Sequence, residues 1–222
     1  ESILETGRNF ANKMWNAYRF IMMNAENIQG LPAENELQLE LADKWIISRL
    51  QEVTIEVRAH YENLRFNDAA TEIFKFMWDE FCSWYIELSK DRLNPSAEKE
   101  SRLTAKYILL NVMQQGMRLL HPIMPFITEE IWQGIKNIFP LKEEALIIAA
   151  FPEADETLID NEINNNMRFV QESITAIRNL RKQINLAPFQ EIEIVIRFAE
   201  GSQQKLFENY MAYFRRLAKV KS

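Results

Sequence analysis

Apolar and polar positions recur along this chain with the period of an α-helix in one long stretch after another. Residues 7–24, GRNFANKMWNAYRFIMMN, contain no proline and no acid. At about 100° per residue they sort into two faces. Phe10, Met14, Ala17, Tyr18, Ile21 and Met22 share one side, a stripe broad enough to pack into a core. Asn9, Asn12, Lys13, Asn16, Arg19 and Met23 share the other, and Phe20 falls among them, between Lys13 and Asn9. Two readings of Phe20 stand open. Either a neighbouring loop covers it, or it is a stacking platform flanked by amide and cationic groups, the chemistry with which proteins take up unstacked RNA bases.

The same periodicity predicts helices over about 3–24 and 41–64, separated by a break at Asn27, Gly30 and Pro32 and an acidic loop over 34–40. A third helix is expected over 69–90, with Asn67 or Asp68 as N-cap. It is apolar almost all round (Ile73, Phe74, Met77, Trp78, Phe81, Cys82, Trp84, Tyr85, Leu88), which places it at the centre of a bundle with Trp78 in the core. Its acids Asp79, Glu80 and Glu87 read as salt-bridge partners of neighbouring helices. Asn94-Pro95-Ser96 separates it from a fourth helix over 97–120, with Ser96 as cap. In HPIMPFITEEIW, 121–132, two prolines force a corner, His121 is a corner residue, and Thr128-Glu129-Glu130 opens a fifth helix.

Past Pro140 the pattern changes. Residues 145–151 form a short apolar extended run, an acidic linker follows to Asp160, and helix resumes over 161–184. Glu191 to Phe198 alternates as a strand does, and 201–220 reads as a last helix. The expected fold is therefore mainly α: an antiparallel helical bundle over 1–140, a linker over 141–160, and a truncated helix–strand–helix over 161–222. That last part would be a partial α/β subdomain whose single strand lacks partners, and so less stable than the bundle.

Composition narrows the function classes. An apolar fraction of 47% and five tryptophans in 222 residues describe a packed protein, and only five glycines suit long helices. One cysteine, Cys82, and two distant histidines, His60 and His121, argue against a zinc or thiol site. No apolar run is long enough to span a bilayer. The net charge of −6 argues against indiscriminate nucleic-acid binding. Yet residues 7–25 carry Arg8, Lys13 and Arg19 without an acid, and 102–120 carry Arg102, Lys106 and Arg118 without one. Such local basic faces suit specific RNA contacts. The sequence carries no phosphate-cradling glycine loop, nucleophile elbow or paired ligand spacing, so the chain does not read as a self-sufficient enzyme. The start at Glu1-Ser2, without an initiator methionine, reads as a piece of something longer.

The segments GRNFANKMWNAYRF (7–20), LADKWIISRL (41–50), WDEFCSWYIELSK (78–90), HPIMPFITEEIW (121–132) and AIRNLRKQIN (176–185) together resemble the anticodon-binding region of the valyl-tRNA synthetases. The proline corner is shared with the isoleucine and leucine enzymes and discriminates poorly; the first helix and the DEFxxWYIE run are more particular. The resemblance implies a class I aminoacyl-tRNA synthetase bundle and a role in valine–tRNA ligase. The ATP-using catalytic domain and the editing domain would precede Glu1, and the HxGH and KMSKS motifs are absent here. It further implies a tRNA for valine as partner, no cofactor in this piece, a cytoplasmic location and a monomeric fragment. The bundle would read the second and third anticodon bases through Lys13, Asn16, Arg19 and Phe20, with Asn12 and Asn9 as weaker candidates. A purely structural interaction bundle is the competing reading.

Overall fold

A computed structural model describes residues 3–25, 30–187, 189–198 and 201–221; Glu1, Ser2 and Asn27, which entered the sequence reading, lie outside them. The chain divides into two compact units, Glu1–Asp160 and Asn161–Ser222.

In the first unit, α1 spans Ile3–Ala25 and α2 spans Leu41–Glu62. Residues 66–89 form one continuous helix, α3. It is α-helical over Phe66–Lys75 and Ile86–Ser89, and π-helical, with i→i+5 bonding, over Phe76–Tyr85. Helix α4 spans Lys99–Leu120 and α5 spans Pro125–Lys136. α1 packs on the π-helical stretch, on α4 and on α5, while α2 packs on α3 and α4. Three expected helix starts move. α3 opens at Phe66, ahead of Asn67 and Asp68, with Arg65 in the N-cap position. Glu98, not Ser96, precedes α4, because the Ser96 amide and hydroxyl both donate to Asn94 Oδ1, at 3.0 and 2.8 Å. α5 begins at Pro125, three residues before Thr128, since proline's fixed φ and missing N–H suit the first helical position. Thr128 instead ties the corner together. Its hydroxyl donates to Met124 O at 2.8 Å and lies 2.7 Å from His121 Nδ1.

Phe10, Met14 and Ile21 of α1, Ile46 and Leu50 of α2, and Met77, Phe81, Tyr85, Met113 and Trp132 are all fully buried and form the core. Trp78 does not join them. It is half-buried, as are Phe74 and Trp84, so the expectation of a core Trp78 is corrected. In a regular α-helix Trp78 would share a face with Phe81 and Tyr85; the wider π-helical turn changes which side chains line up. Two glycines allow close packing. A Cβ on Gly134 of α5 would lie 1.8 Å from Tyr18 Oη of α1, and one on Gly116 would lie 2.4 Å from Met77 Sδ.

A buried polar cluster fixes one end of the bundle. Asp43 is fully buried; it accepts from Tyr85 Oη at 2.7 Å and from the Arg92 guanidinium. Arg92 also donates to Ser101 Oγ at 2.8 Å and pairs with Glu40 at 3.1 Å. Burial opposes the charge on Arg92, but Asp43 and Glu40 hold its pKa above the ordinary value. Of the acids on α3, Glu80 pairs with Arg49 of α2 at 2.8 Å, and Glu87 with Lys90 at 2.5 Å.

Residues 141–160 lie along the bundle, with a short 3₁₀ turn at Leu146–Ile148 inside the stretch expected to be extended. The run is stitched down by side chains of the helices. Glu129 accepts from the Leu146 amide at 2.9 Å, Arg118 donates to Ala150 O at 2.9 and 2.5 Å, and Arg58 to Pro152 O at 2.8 Å. Gln51 and Ser48 accept the amides of Asp155 and Asp160, both at 2.9 Å.

In the second unit, α6 spans Asn161–Gln183, α7 spans Gly201–Asn209 and α8 spans Met211–Ala218. The single helix expected over 201–220 is interrupted at Tyr210. Met167, Val170, Ile174, Phe207, Phe214 and Val220 form its core. The strand expected over Glu191–Phe198 is corrected: the run carries only an isolated parallel bridge, Ile192 to Val220, and Val195 is fully exposed. Alternation supplied the pattern of a strand, but no ladder partner stands beside it among the described residues, so the α/β character expected there is absent from them.

Candidate nucleic-acid interface

The acid-free face of α1 is the candidate interface. Asn9, Lys13, Asn16 and Phe20 recur at i, i+4, i+7 and i+11, so they form one ridge about 16 Å long, flanked by Asn12 and Arg19. Asn12, Asn16 and Arg19 are exposed; Asn9, Lys13 and Phe20 are half-buried. The opposite face is anchored by Phe10, Met14, Ala17 and Ile21, and by Tyr18 over Gly134, so the ridge rides on a fixed helix.

Helix α3 runs beside α1 in the same direction. Phe10 stacks on Phe74 at 3.9 Å between ring centroids, Lys13 Nζ lies 5.2 Å over the Trp78 ring, and Lys90 Nζ lies 5.6 Å over the Phe20 ring. The residue over Phe20 is thus Lys90, in the turn that follows α3, so the ring is partly covered from a neighbouring connection and partly open. An ammonium over an exposed ring contributes roughly 0.5–1 kcal/mol, little enough for a stacking base to replace it. The ridge thus combines an aromatic face, amides that donate and accept, cations of α1 and the ammonium of Lys90 from the turn after α3. Among the described residues no group of acids, histidines and cysteine could hold a metal, and no helix is long and apolar enough to cross a membrane.

The second acid-free stretch is used differently. Arg102 donates to Pro95 O and Ala97 O, both at 2.9 Å, and Arg118 binds Ala150 O, so these guanidiniums hold loops in place. Lys106 has its pKa lowered by burial and by Arg102. Sequence reasoning missed the other side of the candidate interface: Trp78 and Lys75 of α3, and Lys90 just past its end, sit beside the ridge. Hydrophobic periodicity carries no signal for them, since an all-round apolar helix reads as a buried one.

Comparison with known proteins defines the class first. The chain belongs to the family of the anticodon-binding domain of tRNA ligase, which matches residues 43–196. The relatives are more particular. The chain is 38% identical to the valine–tRNA ligase of Fusobacterium nucleatum over 98% of its length, and 34% identical to that of Psychrobacter arcticus over 99%. It is 39% identical to that of Thermotoga maritima over 89%. It spans about a quarter of the length of these relatives, 24%, 23% and 22% respectively.

Proposed function

We propose that this chain is the tRNA-recognition part of a valine–tRNA ligase, and that the ridge on α1 reads the anticodon of a tRNA for valine, chiefly its second and third bases. The observation that carries the reading is the ridge itself: Phe20 for stacking, with Asn16, Arg19 and Lys13 for base edges and phosphates, and Asn12 and Asn9 at its margins, all on a helix packed against the part of the chain, residues 43–196, that matches the anticodon-binding domain of tRNA ligase. Attachment of valine with ATP belongs to the catalytic part of the ligase. The chain itself takes no cofactor, works in the cytoplasm and is monomeric. Residues 1–140 act as the reading bundle, 141–160 as the connection, and 161–222 as a separate subdomain.

The test is a gel shift of the chain with a valine tRNA and with the same tRNA mutated in the anticodon. The expected result is preference for the valine anticodon. Phe20→Ala and Arg19→Ala should each weaken binding, Phe20→Ala by roughly 1–3 kcal/mol, while melting stays near that of the parent. Equal binding of both tRNAs would remove the reading. Phe20→Ala melting far earlier than the parent would make the ring a packing residue instead.

A further inference from the structure

Between the first half of α1 and the start of the π-helical stretch of α3 lies an open cleft of about 390 Å³ that the ridge does not account for. Its walls are the half-buried rings of Phe74 and Trp78, backed by Phe10; Asn9 and Thr6 line it from α1, and Lys75 and Asp79 from α3. Half-exposed aromatic rings facing a cleft, with an amide, a hydroxyl and a cation around them, are not required by the packing of a bundle. The volume lies at the small end of ligand clefts.

We propose that this cleft is a second base-binding subsite, which takes an unstacked nucleobase from the same RNA loop that the α1 ridge reads. The inference rests on that reading and extends it. Asn9 belongs to both the ridge and the cleft, and Lys13, the next residue of the ridge, already lies over Trp78. About 11 residues of helix, roughly 16 Å, separate Asn9 from Phe20, so one base cannot serve both stations. A base stacking at Trp78 takes the place of the Lys13 ammonium, which is then free to meet a backbone phosphate. Lys75 at the wall supplies a second phosphate contact. Asn9 and Thr6 can donate to or accept from a base edge, and the Asp79 carboxylate can only accept. The cleft therefore favours a base with an exocyclic amino group over uracil.

The experiment uses the whole 222-residue chain and an anticodon stem–loop RNA in which each loop base in turn is replaced by fluorescent 2-aminopurine. Stacking on Trp78 quenches one position. Trp78→Leu should abolish that quenching and weaken binding roughly 5- to 100-fold, whereas Phe20→Ala leaves that position quenched and affects another. Asn9→Ala should weaken binding, and Lys75→Gln should lower the slope of log affinity against log salt by about one phosphate contact. These two variants lie off the core and decide the matter if Trp78→Leu unfolds. Full affinity and unchanged quenching in Trp78→Leu, with Phe20→Ala impaired, would overturn the cleft and leave the ridge standing. Full affinity in Asn9→Ala and an unchanged salt slope in Lys75→Gln would also overturn it. Failure of the parent chain to discriminate anticodons would instead remove the reading on which both depend.

Discussion

Cys82 lies one helical turn beyond Trp78 and has the opposite environment. Burial pushes its thiol up to about 12, against a downward pull from the Lys13 ammonium. Such a thiol is protonated and shielded at neutral pH, so it is inert. Two phenols behave alike: burial takes Tyr61 up to about 12, and burial together with Asp43 takes Tyr85 well above its ordinary value. The sign of the effect on stability follows. A folded group that keeps its proton longer than the unfolded one contributes stability that is intact below the unfolded pKa and lost as pH rises toward the folded pKa. For Cys82 that window runs from its ordinary 9.0 to about 12, and for Tyr61 from 10.0 to about 12. Urea titrations across the alkaline range should show a midpoint insensitive to these groups below the window and falling within it. The fall should be shallower at its onset in Cys82→Ala. A thiol reagent at neutral pH should label Cys82 only in urea; rapid labelling of the native chain would contradict its burial.

At the scale of elements, Gly134 decides how α1 is held. Alanine there brings a Cβ against the hydroxyl of Tyr18, whose ring cannot simply bend aside as a flexible chain would. Gly134→Ala should cost about 1–3 kcal/mol by thermal melting, and Tyr18→Phe in the same background should recover part of it. An unchanged melting temperature in Gly134→Ala would mean that α1 sits looser on α5 than described. The helices themselves were legible because 3.6-residue periods are interrupted by Pro32, Pro95 and Pro122, and each long helix lies within a few residues of its expected span. The α1 ridge was legible for the same reason. Three things were not. Pro125 opens its helix because proline is tolerated there, a choice between corner and helix that local chemistry leaves even. The run 191–198 alternates like a strand, but a strand is a relation between two segments and its pattern names only one. The α3 half of the candidate interface depends on i→i+5 bonding, which leaves no mark in hydrophobic periodicity, so periodicity alone puts Trp78 in the core.

Across the whole molecule, order is unevenly supplied. In the first unit the 141–160 run is bonded to α2, α4 and α5 by side chains from several turns. In the second, residues 191–198 make two backbone bonds at Ile192, to Lys219 O and from the Lys221 amide, at 3.0 and 2.8 Å, and Phe198 packs on Phe207 with ring centroids 5.5 Å apart. Hydrogen exchange should therefore find the amides of 193–198 opening readily while Phe81 stays protected for far longer. Equal protection at Ile194 and Phe81 would show that a partner covers the run. The π-helical stretch reaches further than its ten residues suggest. It sets the phase of everything after it on α3, as a slipped tooth sets a gear train. Rewinding the same residues as ordinary α-helix, at about 100° per residue, would turn every downstream side chain about the helix axis. Lys90 would leave Phe20 and Arg92 would leave Asp43 in the same step, so the candidate interface and the buried ionic lock share one adjustment.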